Sequence, residues 1–379
     1  MSLELPDLLE AACELAPRVR ELAPETEDGR RLPDELADAF GRIGLWRACL
    51  PTEAGGPDVP DLNLLLQTLR VLSTADGSAG WCAMIGATSG LVFAYLDQSV
   101  AKRIVTSDGR FCTGGVFAPS GKATPVDGGW RVSGRWSFAS GVDHTTWLSL
   151  GVLVGDPPHA RGVLVPTSEV EILDTWHVSG LRGTGSKDLV ADNVFVPIER
   201  TFQLIGGTPQ VEDTFHRFPL FGLLVLGVAS VALGIARGAI DDLVALATDK
   251  TPSGSRRRLA DRAHAQMEVA AATAELAAAE AFIIHDVGTI YWDAFDGEDP
   301  SLHDRARLRL AATHATRTAA RVVDRMYELG GGSSIYSSNR LQRAFRDVHA
   351  ATQHMVTAPA TYELAGRILL GVETDVSQL

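Results

Sequence analysis

The spacing of apolar residues along the chain changes twice. From residue 5 to about 110 they recur at helical spacing, interrupted at the loop 51–57. From about 111 to 202 the chain consists of short β-rich runs separated by turn signals such as 127–129. After Pro219 long Ala-rich apolar stretches return, and these are 220–246, 259–287, 302–329 and 339–371.

This order predicts an α+β protein with three domains. We expect an N-terminal α-helical domain over 1–110, an antiparallel β-barrel or sandwich over 111–212 and a C-terminal four-helix bundle over 213–379. The alanines of 263–281 would let neighbouring helices approach closely, so an oligomer formed through the bundle is one expectation. The simpler interpretation is packing within one chain.

Composition narrows the classes of function. The chain has 379 residues and a formal charge of -13, and its basic run 256–258 is too short for a nucleic-acid surface. The N-terminus has no basic leader, and no run of about 18 apolar residues is found. We therefore expect a cytoplasmic protein that binds neither nucleic acid nor membrane.

Familiar catalytic and metal motifs are missing from the sequence. There is no HExxH, no GxSxG with a plausible triad and no GxGxxG placed between a strand and a helix. Cys13, Cys49, Cys82 and Cys112 lack the paired spacing of a metal or redox site, so we expect buried reduced thiols and no metal.

Two loops of the β segment are rich in Gly, Ser and Thr next to aromatic residues. They are 135–141, which contains Phe138 and Ser140, and 180–188, which contains Arg182, Thr184 and Ser186. Hydroxyls and backbone amides next to a flat ring can hold a polar heterocycle by its edge. From composition alone, each loop is more often a simple turn between strands.

The last predicted helix carries Asp347 and His354, which helical spacing places on one face, two turns apart. A single histidine on a helix is usually a surface or core residue. A catalytic role for His354 therefore needs support from elsewhere.

That support comes from resemblance to a family. The chain resembles the flavin-dependent hydroxylases built on the acyl-CoA dehydrogenase fold, and the runs that carry the resemblance are 76–81, 117–121, 126–141, 143–147, 176–190, 193–197 and the C-terminal helix. Acyl-CoA dehydrogenases carry a catalytic Glu after the Arg-Asp of this helix. Here the residues after Arg346 and Asp347 lead to His354, which matches the histidine of the monooxygenases.

The resemblance implies the oxygenase component of a two-component, homotetrameric monooxygenase. A separate NAD(P)H-dependent reductase would supply reduced flavin, as FMNH2 or FADH2, which forms a C4a-hydroperoxide with O2. The expected substrate is small and hydrophobic: a phenolic, indolic or polyketide-like aromatic compound.

Site residues carry over by position. His354 is expected to act as acid or base, and Ser140 to hydrogen-bond the hydroperoxide. Trp81 and Phe138 are the expected walls that keep water out, Trp81 also contacting substrate. The residues expected to contact the flavin are Phe138, Ser140, Arg182, Thr184, Ser186, Gly331 and Gly332.

Two departures keep alternatives open. Residues 83–98 lack the second histidine of the phenol hydroxylases, and 249–254 do not match the stretch with which the dehydrogenases grip FAD. The alternatives are a dehydrogenase-like oxidoreductase with a displaced base, an N- or S-oxygenase, and a non-catalytic scaffold.

Overall fold

The computed structural model describes residues 5–58, 61–107, 109–212, 214–376 and 379. The N-terminal helices are α1 (Leu5–Gly29), α2 (Asp34–Arg42), α3 (Leu62–Ala75), α4 (Gly77–Thr88) and α5 (Gln98–Thr106). The strands are β1 (Thr113–Val126), β2 (Gly129–Ala139), β3 (Trp147–Val154), β4 (His159–Pro166), β5 (Glu171–Leu173), β6 (Lys187–Pro197) and β7 (Thr201–Phe202). The C-terminal helices are α6 (Thr214–Arg217), α7 (Leu220–Asp249), α8 (Ala263–Phe295), α9 (Leu302–Gly330), α10 (Arg340–Ala351) and α11 (Ala360–Leu369).

The expected order of helices, sheet and helices is confirmed. The boundaries proposed at 110 and 212 fall between these groups of elements, and the division into three domains remains a proposal. One buried core runs through α1, α3 and α4 into α7, α8 and α9, so the two helical parts pack as one body.

The strands form one seven-stranded sheet in the order β5-β6-β2-β1-β3-β4-β7. All its described pairs are antiparallel, as expected, except β1 and β3, which run parallel. The reason lies in the connection. β2 runs antiparallel to β1 and therefore ends at the end of the sheet where β1 begins. The short loop after Ala139 keeps the chain at that end, so β3 starts there with Trp147 beside Thr113 and runs parallel to β1.

A sharp corner between α3 and α4 positions the first site residue. Asp76 ends α3 in an extended conformation, and its carboxylate accepts a hydrogen bond from Ala79 N at 2.9 Å to cap α4. The chain turns without a spacer because one residue serves both helices. Trp81 therefore lies in the first turns of α4, at the centre of the molecule.

Among the residues that the structure describes, two apolar segments are long enough to cross a membrane: 77–95 and α7. Both are mostly buried inside the protein, which is the behaviour of core helices in a globular fold.

Two sequence predictions are wrong in detail. The stretch 339–371 is not one helix, because the chain leaves the helical path between α10 and α11. Cys13 is exposed, whereas Cys49, Cys82 and Cys112 are buried and form no disulfide, as expected. Burial raises the pKa of the Cys49 and Cys82 thiols, which makes them poor nucleophiles.

Candidate functional site

A row of buried hydroxyl groups lies between α4 and the sheet. Trp81 Nε1 donates to Ser140 Oγ at 3.0 Å, and Ser140 Oγ lies 2.7 Å from Ser186 Oγ. Ser186 Oγ is in turn 2.7 Å from Thr184 Oγ1, which donates to Leu181 O at 2.8 Å. The two loops singled out in the sequence are thus joined through their hydroxyls.

The direction of each hydrogen bond in this row is fixed. A carbonyl oxygen can only accept, so the single hydroxyl proton of Thr184 goes to Leu181 O. Ser186 must then donate to Thr184, and Ser140 must donate to Ser186. Because the Trp81 N–H already occupies one lone pair of Ser140 Oγ, that oxygen has one acceptor position left and no proton to offer.

Backbone strain accompanies this arrangement. Phe138 and Leu181 have φ values of 68° and 51°, a left-handed conformation that costs non-glycine residues energy. Each strained residue lies shortly before a member of the hydroxyl row, Phe138 before Ser140 and Leu181 before Thr184.

Phe138 does not close the site in this chain. Its side chain is 72% exposed, and its ring packs edge-on against Trp176 with the centroids 6.1 Å apart. Trp81, by contrast, is only 6% exposed and fits the expected dry wall. Phe138 and Trp176 instead form an open aromatic corner beside the loop, where a flat ring could stack.

His354 lies in a turn and not on a helix, which corrects the expected helical geometry. α10 ends at Ala351, and Ala358 is extended, as expected of a residue that precedes a proline. Helical spacing therefore does not relate His354 to Asp347. The turn nevertheless brings the imidazole to Trp81, with the ring centroids 5.7 Å apart.

The electrostatics of this turn favour a neutral imidazole. Burial lowers the pKa of His354, and the positive charge of Arg309 lowers it further. A neutral ring has one donor and one acceptor nitrogen, so it can take part in proton transfer near pH 7.

Asp347 hydrogen-bonds the backbone of the loop 180–188, which carries Thr184 and Ser186. Its Oδ1 accepts from Leu181 N at 2.6 Å, and Arg346 Nη1 donates to the carbonyl of Ser179. Burial and the nearby Asp76 carboxylate raise the pKa of Asp347 to about 7. The sequence singled out Asp347 for its position only, because burial of a carboxylate is not visible in a helical pattern.

Two arginines of α10, Arg343 and Arg346, pair with carboxylates beneath the site. Burial alone would raise the pKa of Glu27, but Arg346 and Arg343 hydrogen-bond it and hold that pKa below its ordinary value. Arg343 Nη1 also lies 3.8 Å from Asp76. These contacts tie α1, α4 and α10 together under the site.

The other predicted cofactor residues lie in two places. Arg182 sits in the loop 180–188, and its buried Nε has no hydrogen-bond partner among the described residues. Gly331 and Gly332 lie in an exposed turn after α9, where Lys250 donates to Gly330 O and, at 2.8 Å, to Ser333 Oγ. The described contacts do not join this turn to Trp81 or Ser140.

The site can hold a flat, polar ring system. Arg182 has a buried donor to satisfy, Ser140 has an acceptor position, and the Phe138–Trp176 corner offers an aromatic surface. An isoalloxazine ring is flat and carries both hydrogen-bond acceptors and N–H donors along its edge, so these groups fit it. In the described part of the chain, no three His, Cys, Asp or Glu side chains cluster as metal ligands would.

Known proteins resemble this chain over nearly its whole length. Residues 226–359 match the model of the acyl-CoA dehydrogenase C-terminal domain. Indole-3-acetate monooxygenase of Pseudomonas putida is 33% identical, over 92% of this chain and 89% of its own. The FADH(2)-dependent resorcinol hydroxylase oxygenase component of a Rhizobium species is 30% identical, over 93% of this chain and 91% of its own.

A third relative is also known in three dimensions. The flavin-dependent monooxygenase oxygenase subunit HsaA of Mycobacterium tuberculosis is 31% identical, over 93% of this chain and 92% of its own. The crystal structure of the HsaA monooxygenase superimposes with a TM-score of 0.92 and 30% identity, covering 99% of this chain and 100% of that one.

Proposed function

Because the chain belongs to the flavin-dependent monooxygenases built on the acyl-CoA dehydrogenase fold, its cofactor is a flavin, and we propose that it hydroxylates a small aromatic compound. The proposed substrates are phenolic, indolic or polyketide-like. As an oxygenase component, the protein works with a separate reductase, and we propose that this reductase uses NAD(P)H and that both proteins are cytoplasmic.

One observation carries the proposal: a single buried indole joins the hydroxyl row to an imidazole. Trp81 Nε1 donates to Ser140 Oγ at 3.0 Å, and the centroid of the Trp81 ring lies 5.7 Å from that of the His354 ring. An acceptor for a ring N–H and a proton-transfer group therefore border the same small region. Related dehydrogenases place a carboxylate base in this part of the chain, and this protein has a histidine.

Ser140, in this proposal, accepts a hydrogen bond from an N–H of the reduced flavin. The sequence predicts a hydrogen bond between Ser140 and the hydroperoxide; because the hydroxyl proton is already committed to Ser186, Ser140 can take part in such a bond only as an acceptor. Thr184 and Ser186 act through Ser140, because their own hydroxyls are buried in the row. Bound reduced flavin supplies the electrons that activate O2.

His354 and Trp81 serve the substrate side. A neutral imidazole can donate its single N–H to an oxygen at the reacting centre or accept a proton from an aromatic substrate, and which of the two it does depends on which ring nitrogen faces the ligand. Trp81 limits the access of water, which would otherwise divert reduced oxygen to hydrogen peroxide. Arg182 and Phe138 remain proposed contacts of the flavin.

We also propose that the protein is a homotetramer. Ala274, Ala278 and Ala281 lie exposed on one face of α8, and Met267 and Trp292 extend this face. Gly331 and Gly332 are exposed as well, so they would be free to serve a flavin bound by a second copy.

The test combines the protein with a generic flavin reductase, NADH and a panel of phenols, indoles and polyketide-like aromatics. The expected result is a hydroxylated product from at least one aromatic class. Failure of every class, with flavin binding intact, would contradict an aromatic substrate.

Ser140→Ala and the matched control Ser120→Ala, an exposed serine of β1, test the site. We expect Ser140→Ala to weaken the binding of reduced flavin about tenfold, which corresponds to one lost hydrogen bond. Hydrogen peroxide released per flavin oxidised should rise in this variant and stay at the wild-type level in the control. Equal behaviour of the two variants would remove Ser140 from the site.

A further inference from the structure

We propose that Arg309 is a positioning residue that acts through the backbone of Val356 to hold the His354 imidazole with its proton on Nε2. The inference rests on the proposed function, in which His354 is the proton-transfer group. It concerns which nitrogen of that group is free to donate, and which residue decides this.

The turn that carries His354 engages one edge of its own imidazole. Val356 N donates to His354 Nδ1 at 3.4 Å, so Nδ1 is the acceptor nitrogen of the ring. A neutral imidazole carries one proton, which must then be on Nε2. With Nδ1 occupied by the turn, Nε2–H is the edge left for a bound molecule.

Arg309 hydrogen-bonds the carbonyl group of Val356, the residue whose amide contacts His354. It is a buried residue of α9, and its Nη1 donates to Val356 O at 3.3 Å. Val356 is therefore held at its carbonyl by the guanidinium, while its amide holds the imidazole. A displacement of Val356 would break the contact at Nδ1 and release the ring.

One turn further along α9, a second contact supports this role. Thr313 Oγ1 lies 2.6 Å from Thr361 Oγ1, which donates to Ala358 O at 2.7 Å. α9 thus holds this part of the chain at Val356 and again, beyond it, at Thr361. Only the contact of Arg309 bears directly on the residue that orients the imidazole.

The charges around the segment also favour a neutral His354 imidazole. Arg309 and Arg317 of α9 face the segment, and Asp375 lines a cleft of about 300 Å³ together with Arg309 and Val356. Trp81, the neighbour from α4, is uncharged. Burial lowers the pKa of His354 and the charge of Arg309 lowers it further, which keeps the ring neutral and preserves the distinction between its two nitrogens.

The experiment measures the tautomer directly by solid-state 15N NMR of protein that contains [15N]histidine. The chain has ten histidines, and a His354→Gln spectrum identifies the signals of His354 by difference. Arg309→Met removes both the charge and the donor, whereas Arg309→Lys keeps a charge and a donor. The matched control is Arg317→Met, which removes the contact of another α9 arginine with this segment, at Thr352 O.

In the wild type and in Arg317→Met, we expect an unprotonated Nδ1 and a protonated Nε2. In Arg309→Met, both tautomers should appear, and the pKa of His354 should rise because the positive charge beside it is removed. Arg309→Lys should restore most of the wild-type spectrum. Product formed per flavin oxidised should fall about tenfold in Arg309→Met and recover in Arg309→Lys.

A protonated Nδ1 in the wild type would overturn the inference, and so would an unchanged tautomer and pKa in Arg309→Met. The wild-type spectrum alone tests the tautomer if Arg309→Met fails to fold. Failure of the proposed function is a separate result, because it appears as the absence of product from wild-type protein whatever the spectrum shows.

Discussion

At the residue scale, folding strongly alters the ionisation of Asp347. Burial and Asp76 raise its pKa from 3.8 to about 7. In the unfolded chain the group loses its proton near pH 4, whereas in the folded protein it keeps that proton until about pH 7. Its contribution to stability is therefore fully present below pH 4 and is lost as pH rises toward 7.

Asp347→Asn should remove this pH dependence, because an amide is neutral and can still accept from Leu181 N. Each pKa unit corresponds to about 1.4 kcal/mol, so the wild type should lose a few kcal/mol more than the variant between pH 4 and pH 7. Urea unfolding at fixed protein concentration across this range measures the difference. Asp192→Asn, on the exposed face of β6, is the control and should show the same pH dependence of unfolding free energy as the wild type. If Asp347→Asn shows that same pH dependence, the raised pKa of Asp347 is contradicted.

How far the sequence predicts individual residues depends on what fixes each of them. Trp81, Ser140 and His354 could be selected because motifs and family resemblance mark their positions. The acceptor polarity of Ser140 could not, since it depends on a hydrogen bond to Leu181 O that only the folded loop creates. Arg309 gave no signal, because it resembles the other arginines of an amphipathic helix.

At the scale of elements, the corner between α3 and α4 is packed too tightly for any side chain at Gly80. A Cβ there would lie 1.9 Å from Ser73 Oγ and 2.7 Å from Ser73 Cα. Because one of these atoms is backbone, the two helices themselves would have to separate. Trp81 follows Gly80 directly, so the indole would move with the corner.

Gly80→Ala should therefore lower the free energy of unfolding by about 1–3 kcal/mol. Gly366→Ala is the matched control, since its added Cβ meets no atom within 4 Å on α11. An alanine there should stabilise the protein by about 0.5–1 kcal/mol through helix propensity. Similar effects of the two substitutions, measured by urea unfolding, would argue against the close approach.

The order of elements was predictable, but two of their connections were not. Apolar spacing separates helices from strands, yet it cannot show that β3 starts from the edge where β1 starts, and so runs parallel to it. The same spacing continues through 352–359, although the chain there leaves the helix ahead of Pro359. Both features depend on how elements meet and not on the residues within them.

At the scale of the whole molecule, the exposed alanine face of α8 is the surface proposed for assembly. Light scattering should give a mass near four times the 40.4 kDa of one chain. Ala278→Arg places a long charged side chain in the middle of this face and should yield smaller species. Ala245→Arg, an exposed alanine of α7, should leave the mass unchanged; an intact tetramer in Ala278→Arg would exclude this face.

If Ser140 contacts the flavin as proposed, the one-directional row from Trp81 to Leu181 would also discriminate between redox states of the cofactor. An oxygen that can only accept attracts a ring nitrogen that bears hydrogen and repels one that presents a lone pair. At N5 the two-electron-reduced ring bears hydrogen, whereas the oxidised ring presents a lone pair. The protein would accordingly capture what the reductase delivers and release the spent ring after each turnover, so that the exchange between the two proteins runs in one direction.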